Sequence, residues 1–390
     1  MILCKPYPPD IRVEKEVRSL VDAGHDLFVI AESKRGESKR EVFGRAHVDR
    51  YSPPRPFRRR IDWFYFQLTF KSYFWKNRIR NFTLRNNLEI LHVHDLPLVS
   101  TTLDVAAEFD LPVVADLHEN YPAAKQLWSE GSRNPLVWFG DDFRRWERYE
   151  KRILPSVSKI ITVVDEASER LADSGILSSS QTTVVMNVEE RKWFDSLSSS
   201  SGKNDDIIRI VYVGGVRPHR GLDIVIHSLV NLPNKAKVAL RIVGAKGQYA
   251  SELVKLAKDL GVSDKIELVE WIPLEQIPNC IVECDIGIVP HKKHLHTDAT
   301  IPHKLFQYML ASKPVIVSNC KPLERIVRET KSGLVFSSGN SLNLAKTIMK
   351  LVENPDLRSE LGSNGRKVSA NRLSWENEGQ KLVLLYDEFT

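Results

Sequence analysis

Three short stretches bring basic side chains together with glycines or a helix start. In IPHKLFQYMLASKPVIVSN, residues 301–319, a proline-containing turn delivers His303 and Lys304 to the beginning of a short helix. Free backbone N–H groups and the positive end of the helix dipole favour an anion there, phosphate above all. Pro302, His303, Lys304 and Gln307 are the residues arranged to meet it. In VYVGGVRPHRGLDIVIHSL, from Val211 onward, an apolar strand ends at Gly214 and Gly215, a basic loop carries Arg217 and Arg220, and Gly221 opens a helix. Glycines admit a ligand close to the backbone, and the two arginines supply charge suited to a diphosphate. The spacing matches neither GxGxxG nor GxxxxGK[ST]. RIVGAKG, Arg241 to Gly247, ends another strand in glycines and would set Gly244 beside Gly214 at one sheet edge.

A second kind of chemistry marks VHDLP and VVADLHENYP, from Val93 and Val113. Each puts a histidine and carboxylates just past an apolar strand, a pattern suited to a polar ligand such as a sugar. His94 reads as hydrogen-bonded scaffold. His118, two residues after Asp116 and followed by Glu119, reads as functional. Adjacent residues point apart on a strand, and these histidines and acids lack metal-ligand spacing, so no metal site is expected. Cys4, Cys280, Cys284 and Cys320 form no CxxC pair and read as reduced, buried thiols.

These residues need a scaffold that ends strands at a common edge. Apolar strands are expected at 2–5, 26–31, 90–94, 112–116, 159–164 and 183–186, with helical patterns such as 13–23 and 98–109 between them. That alternation predicts a parallel sheet covered on both faces. SLSSSSGKNDD, residues 196–206, is polar and serine-rich and reads as a flexible connector. A second alternation follows, with strands at 207–213, 239–243, 266–268, 286–289, 315–317 and 334–336. The expected architecture is two doubly wound, Rossmann-like α/β domains facing a central cleft, with ligand at the carboxyl ends of their strands. The bounds are 1–190 for the N-terminal domain, 191–206 for the linker and 207–371 for the C-terminal domain. A last helix within 372–390 is expected to pack back on the first domain.

The chain has 390 residues, 42% of them apolar, enough for two ordinary cores. No apolar run reaches the roughly eighteen residues that span a bilayer. MILCKPYPPD lacks a signal-peptide pattern, so a cytoplasmic protein is expected. The net charge is +6, but nine Lys/Arg against one acid, Asp62, lie between Arg55 and Arg85. That segment carries +8 and the remainder −2 by subtraction, which disfavours a general nucleic-acid binder. The same segment holds ten of the thirty-three aromatic residues. On one helix, Trp63, Phe66, Phe70, Tyr73 and Phe74 would share a face packed on the sheet. Phe64 and Trp75 would lie opposite, near Arg60, Lys71 and Arg78, with Arg58 and Arg59 adjoining. Such a face suits an anionic membrane surface.

Taken in order, these pieces resemble the retaining nucleotide-sugar glycosyltransferases of family four, which have the GT-B two-domain fold. YPPDIRVEKEVRSLVDAGHDLFVIA resembles the family's opening loop, helix and second strand. DLHENYP resembles its D-x-H-E segment, VVMN its crossover, YVGGVRPHRGLD its phosphate loop and LSWENEGQKLVLLYDEF its closing helix. IPHKLFQYMLASKPVIVSN is similar to its PxKxFEYxxxGKPVI variant. The resemblance implies that His118 stands by the transferred sugar, that Arg220 and Lys304 face the donor phosphates, and that Gly214 and Gly215 lie beneath them. The family's two glutamates, with seven residues between them, fall on Ala299 and Gln307, so both acids are missing here.

The implied activity is retaining, metal-independent hexosyl transfer (EC 2.4 class) without a cofactor, from a nucleoside diphosphate sugar to a glycan or lipid-linked acceptor. Cell-surface polysaccharide or glycolipid assembly at the inner face of a membrane is the expected setting. A degenerate donor-binding protein and a GT-B nucleotide-sugar epimerase are the alternatives.

Overall fold

The computed structural model describes residues 1–34, 37–130, 134–175, 181–195 and 206–389. The chain divides into two compact units, Met1–Met186 with Glu378–Thr390, and Asn187–Asn377. The serine-rich stretch expected as a connector lies, but for Asp206, outside the described residues.

The first unit is built on an eight-stranded sheet. Its strands are β1 (Ile2–Pro6), β2 (Phe28–Glu32), β3 (Arg40–Phe43), β4 (Ala46–Tyr51), β5 (Leu91–His94), β6 (Val113–Leu117), β7 (Lys159–Thr162) and β8 (Thr182–Val184). They lie in the order β3-β4-β2-β1-β5-β6-β7-β8. The inner strands are buried apolar runs, as a sheet covered on both faces requires. The antiparallel β3–β4 hairpin departs from the all-parallel expectation. Its polar strands lie at the sheet edge, where no apolar run announces them.

Helices α1 (Ile11–Asp22), α2 (Pro56–Thr69), α3 (Tyr73–Asn86), α4 (Val99–Phe109) and α5 (Tyr121–Ser129) follow in chain order. Asp10 starts α1 by accepting from the backbone N–H of Arg12 and Val13. The single aromatic helix expected from the sequence is two helices. Phe70 turns left-handed and ends α2, and the Ser72 hydroxyl caps α3 by accepting from Trp75 N–H. Asp62 accepts from Ser72 Oγ at 2.7 Å and from Phe74 N–H at 3.0 Å, tying the two helices together.

The second unit has a six-stranded, wholly parallel sheet. Its strands are β9 (Ile208–Val213), β10 (Val238–Val243), β11 (Ile266–Val269), β12 (Ile286–Val289), β13 (Val315–Ser318) and β14 (Gly333–Phe336). Their order, β11-β10-β9-β12-β13-β14, is that of a doubly wound fold. Strand order reverses between β9 and β12, where such sheets open a crevice at their carboxyl ends. Ile210, Tyr212, Leu240, Ile242, Ile288 and Ile316 fill the core. No helix among the described residues is long and apolar enough to cross a membrane.

Candidate functional site

The loops after β9 and β12 form the reversal point of the second sheet. Gly214 ends β9 with φ +119°, and a β-carbon there would lie 3.1 Å from Lys304 Nζ. Glycine thus leaves space for the ammonium, which sits 3.5 Å from the centroid of the Tyr212 ring. Gly244 follows β10 with its backbone against Gly214, while Gly215 and Arg217 are exposed. Gly221, at φ +72°, starts helix Leu222–Val230; a β-carbon there would lie 2.0 Å from Pro290 O, so only glycine fits against the segment leaving β12.

Two cations converge at this edge. Arg220 Nη1 donates to His291 Nε2 at 3.1 Å, which requires His291 to be neutral on that nitrogen. Burial and Arg220 hold the His291 pKa well below the usual histidine value. Burial, then Arg220, also depress Lys304 well below the usual lysine value. Lys304 makes no ion pair among the described residues. A negative charge placed between Arg220 and Lys304 would therefore be stabilised, and would raise the Lys304 pKa back toward the usual lysine value.

Pro302, His303 and Gln307 take different positions. Pro302 leads into helix Lys304–Leu310, a helix of seven residues. His303 Nε2 lies 3.1 Å from Glu189 Oε2 and 3.2 Å from Val188 O. Gln307 is buried, and its Nε2 donates to Glu189 Oε2 at 3.0 Å. The buried Gln307 amide is thus held by the Glu189 carboxylate. Ala299 is buried, and Asp298 accepts from Lys321 N–H at 2.8 Å, capping the next helix.

In the first unit, His118 follows β6 and stands over a buried polar network. Its Nε2 lies 2.9 Å from Asp116 Oδ2, and its Nδ1 lies 3.8 Å from Asp95 Oδ1. Arg12 grips Asp116 twice, through Nε at 3.2 Å and Nη2 at 3.1 Å, and gives Nη1 to Val185 O at 3.0 Å. Arg12 Nε also lies 2.9 Å from Glu16 Oε1. His94 Nδ1 lies 3.3 Å from Asp116 Oδ2, and His92 Nδ1 lies 2.7 Å from the Tyr386 hydroxyl. Burial would lower the His118 pKa, but Asp116 and Asp95 outweigh it and lift the group to about 9. Burial would raise Asp116, yet Arg12 and His118 hold it well below the carboxylate range. Burial and Asp116 together push Glu16 well above that range.

Ligand atoms of Glu16, His92, His94 and Asp116 all lie within 4.8 Å of one another. The guanidinium of Arg12 already contacts both carboxyl groups, so a divalent cation there would face a fixed positive charge at contact distance. The set is an ion-pair and proton network.

On α2, Phe57, Ile61, Phe64 and Leu68 recur at helical spacing and are all exposed, Leu68 at 79%. Arg58, Arg59 and Arg60 are exposed beside them and enter no ion pair among the described residues. A groove of about 1070 Å³ runs along this side, lined by Phe57, Arg59, Arg60, Trp63 and Phe64. Four residues depart from expectation. Trp75 is buried in the core with Phe70, not exposed, because the break at Phe70–Ser72 rotates α3 relative to α2. Tyr73 is exposed for the same reason. Lys71 pairs with Asp104 at 2.8 Å, and Arg78 stacks on Phe74 with its carbon 3.1 Å from the ring centroid, so neither offers a free charge.

Arg12, Glu16, His92 and Tyr386 escaped the reading of the sequence. A buried Arg and Glu four apart on a helix looks identical to a surface pair; the signal was that both lie on the apolar face of α1 with Val13, Val17 and Leu20. Glu189 and His291 escaped it because their partners are distant in sequence.

Two family models match the chain. "Glycosyltransferase Family 4" covers residues 11–187, and "Glycosyl transferases group 1" covers residues 194–368. A similar curated protein is the MMP alpha-(1->4)-mannosyltransferase of Mycolicibacterium hassiacum, 22% identical over 76% of this chain and 70% of the relative. Against other curated relatives, such as the alpha-D-kanosaminyltransferase of Streptomyces kanamyceticus, the chain spans about half their length. Among solved structures, sucrose-phosphate synthase from Thermosynechococcus elongatus superposes with a TM-score of 0.77 at 15% identity, covering 99% of this chain and 98% of that one. Anabaena HepE in complex with UDP gives 0.71 at 14% identity, covering 99% of both chains. The two α/β units therefore have the GT-B fold, and the chain belongs to the family 4 glycosyltransferases.

Proposed function

We propose that the protein transfers a hexose, with retention of anomeric configuration, from a nucleoside diphosphate sugar to a glycan or lipid-linked acceptor in cell-surface polysaccharide or glycolipid synthesis. One observation carries the donor half of this reading. Lys304 is held beside Gly214 at the reversal point of the sheet, with Arg220 nearby and no carboxylate against it among the described residues. Fixed cations at that position stabilise charge on a departing diphosphate, and they supply it without a bound metal. His118 is the group we assign to the transferred sugar, as an imidazolium donor to its hydroxyls. The UDP-bound structural neighbour and the mannosyltransferase relative support a nucleotide-sugar donor and a hexose.

The exposed apolar stripe and arginine triplet of α2 support contact with an anionic membrane surface, where a lipid-linked acceptor would reside. Ala299 and Gln307 favour one rival, a donor-binding protein without turnover. Thermal-shift screening with UDP-, GDP- and ADP-sugars tests binding, because a ligand specific to the native state raises its stability. Release of nucleoside diphosphate on adding an acceptor lipid extract separates transfer from binding alone. A protein that no donor stabilises at millimolar concentration contradicts the proposal.

A further inference from the structure

We propose that Arg12 is a positioning residue for His118: by clamping Asp116 it fixes the His118 ring with Nε2 on that carboxylate and Nδ1 turned toward Asp95, the edge offered to substrate. The inference rests on the assignment of His118 to the transferred sugar.

Four observations carry it. First, the network is buried in an unusual way: Arg12, Glu16, His92, His94 and Asp116 are all at 5% exposure or less. Replacing a buried ionic cluster by apolar side chains is often neutral or stabilising, so packing alone gives no reason for this one. Second, His118 at 15% and Asp95 at 22% are where the network approaches solvent, so whatever the buried groups impose is delivered there.

Third, the hydrogen bonds define a direction. Arg12 donates to both oxygens of Asp116 and to Val185 O, which leaves the carboxylate no rotational freedom about its pair. Asp116 Oδ2 then accepts from His118 Nε2 at 2.9 Å. With Nε2 held on that carboxylate, Nδ1 is turned toward Asp95, so the orientation of the exposed nitrogen follows from Asp116. Fourth, Arg12 is one turn from Glu16 on α1, and a single guanidinium faces two carboxyl groups. Glu16 can take up a proton and leave Asp116 ionised toward His118, a division that the depressed Asp116 and raised Glu16 pKa values express.

Among the described residues, charged and titratable groups face His118 from these places. Asp10 precedes α1, Arg12 and Glu16 lie on α1, His94 and Asp95 end β5, and Asp116 lies on β6. Without Arg12, two acids and three histidines would redistribute their protons, and His118 would lose its fixed carboxylate.

The test uses the full chain with Arg12→Lys, which keeps a positive charge but cannot grip both oxygens, and Asp116→Asn as a second variant. His118 ring nitrogens are followed by 1H–15N NMR, assigned with His118→Gln. In wild type both ring nitrogens should stay protonated through pH 8. In Arg12→Lys the His118 midpoint should fall by at least one pH unit, and in Asp116→Asn by more. Transfer by Arg12→Lys should lose at least tenfold in kcat with donor KM within twofold, its alkaline limb moving to lower pH. Circular dichroism and Tm report folding in the same samples. A wild-type His118 titration curve in folded Arg12→Lys overturns the inference, as does a fall in kcat with the pH profile unmoved. A wild-type protein that turns over no donor overturns the functional reading, while the NMR titration still decides the clamp.

Discussion

Gln307 Nε2 stands 3.0 Å from Glu189 Oε2, so a carboxylate from the crossover segment meets the helix after β12 at residue 307. His303 approaches the same oxygen at 3.1 Å, and Glu190 N–H donates to the other oxygen at 3.0 Å. Restoring the usual acid with Gln307→Glu would therefore place two carboxylates in contact. One must take a proton, which raises a pKa in the folded state, so stability is lost as pH rises. The variant should be less stable than wild type by about 2 kcal/mol or more at pH 8 and should approach it at pH 5. Adding Glu189→Gln should restore the pair in reverse. Urea denaturation at the two pH values checks this; a Gln307→Glu variant as stable as wild type at pH 8 refutes it.

His118 gives a stability curve of the same sense. Its folded pKa of about 9 lies above the unfolded value near 6.5. The contribution is complete below pH 6.5 and is lost as pH climbs through about 9, amounting to about 3 kcal/mol at most. Wild type should lose stability relative to His118→Gln between pH 6 and pH 9. Parallel curves for the two proteins would exclude a charged His118.

The close approach of Gly221 to Pro290 O permits a clean comparison within one loop. Gly221→Ala adds a β-carbon 2.0 Å from that oxygen at a left-handed residue, whereas nothing lies within 4 Å of the corresponding position at Gly215. Gly221→Ala should cost at least about 2 kcal/mol and Gly215→Ala no more than about 0.5 kcal/mol. Thermal denaturation of the pair decides; equal losses would mean that the two loop segments are not packed as described.

How much of this was legible depends on sequence distance. The parallel strands were readable because burial on both faces forces unbroken apolar runs, such as Val315-Ile316-Val317. The β3–β4 hairpin was not, since edge strands such as Arg40–Phe43 carry polar residues. Gly214, Arg220 and Lys304 were readable as a group because strand-end glycines and flanking cations have local signatures. Glu189 and Arg12 were not, because their meaning depends on partners more than one hundred residues away. Trp75 was misread because a helix break at Phe70 is invisible in an aromatic run without glycine or proline.

On α2, three exposed arginines flank an apolar stripe. Each cation near an anionic lipid surface contributes about 1 kcal/mol. Reversing them with Arg58→Glu, Arg59→Glu and Arg60→Glu together should weaken binding to phosphatidylglycerol vesicles at least thirtyfold at low salt. Wild-type binding should weaken as salt rises. Vesicle flotation checks both; undiminished flotation of the triple variant would show that α2 does not meet the lipid.

The most direct measurement is calorimetric titration of the protein with UDP, GDP and ADP in the presence of EDTA, in two buffers of different ionisation heat. At least one nucleoside diphosphate should bind to wild type, and any linked proton exchange should be uptake, because the phosphates raise the depressed Lys304 pKa. In Lys304→Met that proton uptake should vanish and affinity should fall at least tenfold. No binding to wild type at millimolar nucleotide, or binding by Lys304→Met with wild-type affinity and proton uptake, would contradict the donor site built on Lys304 and Arg220.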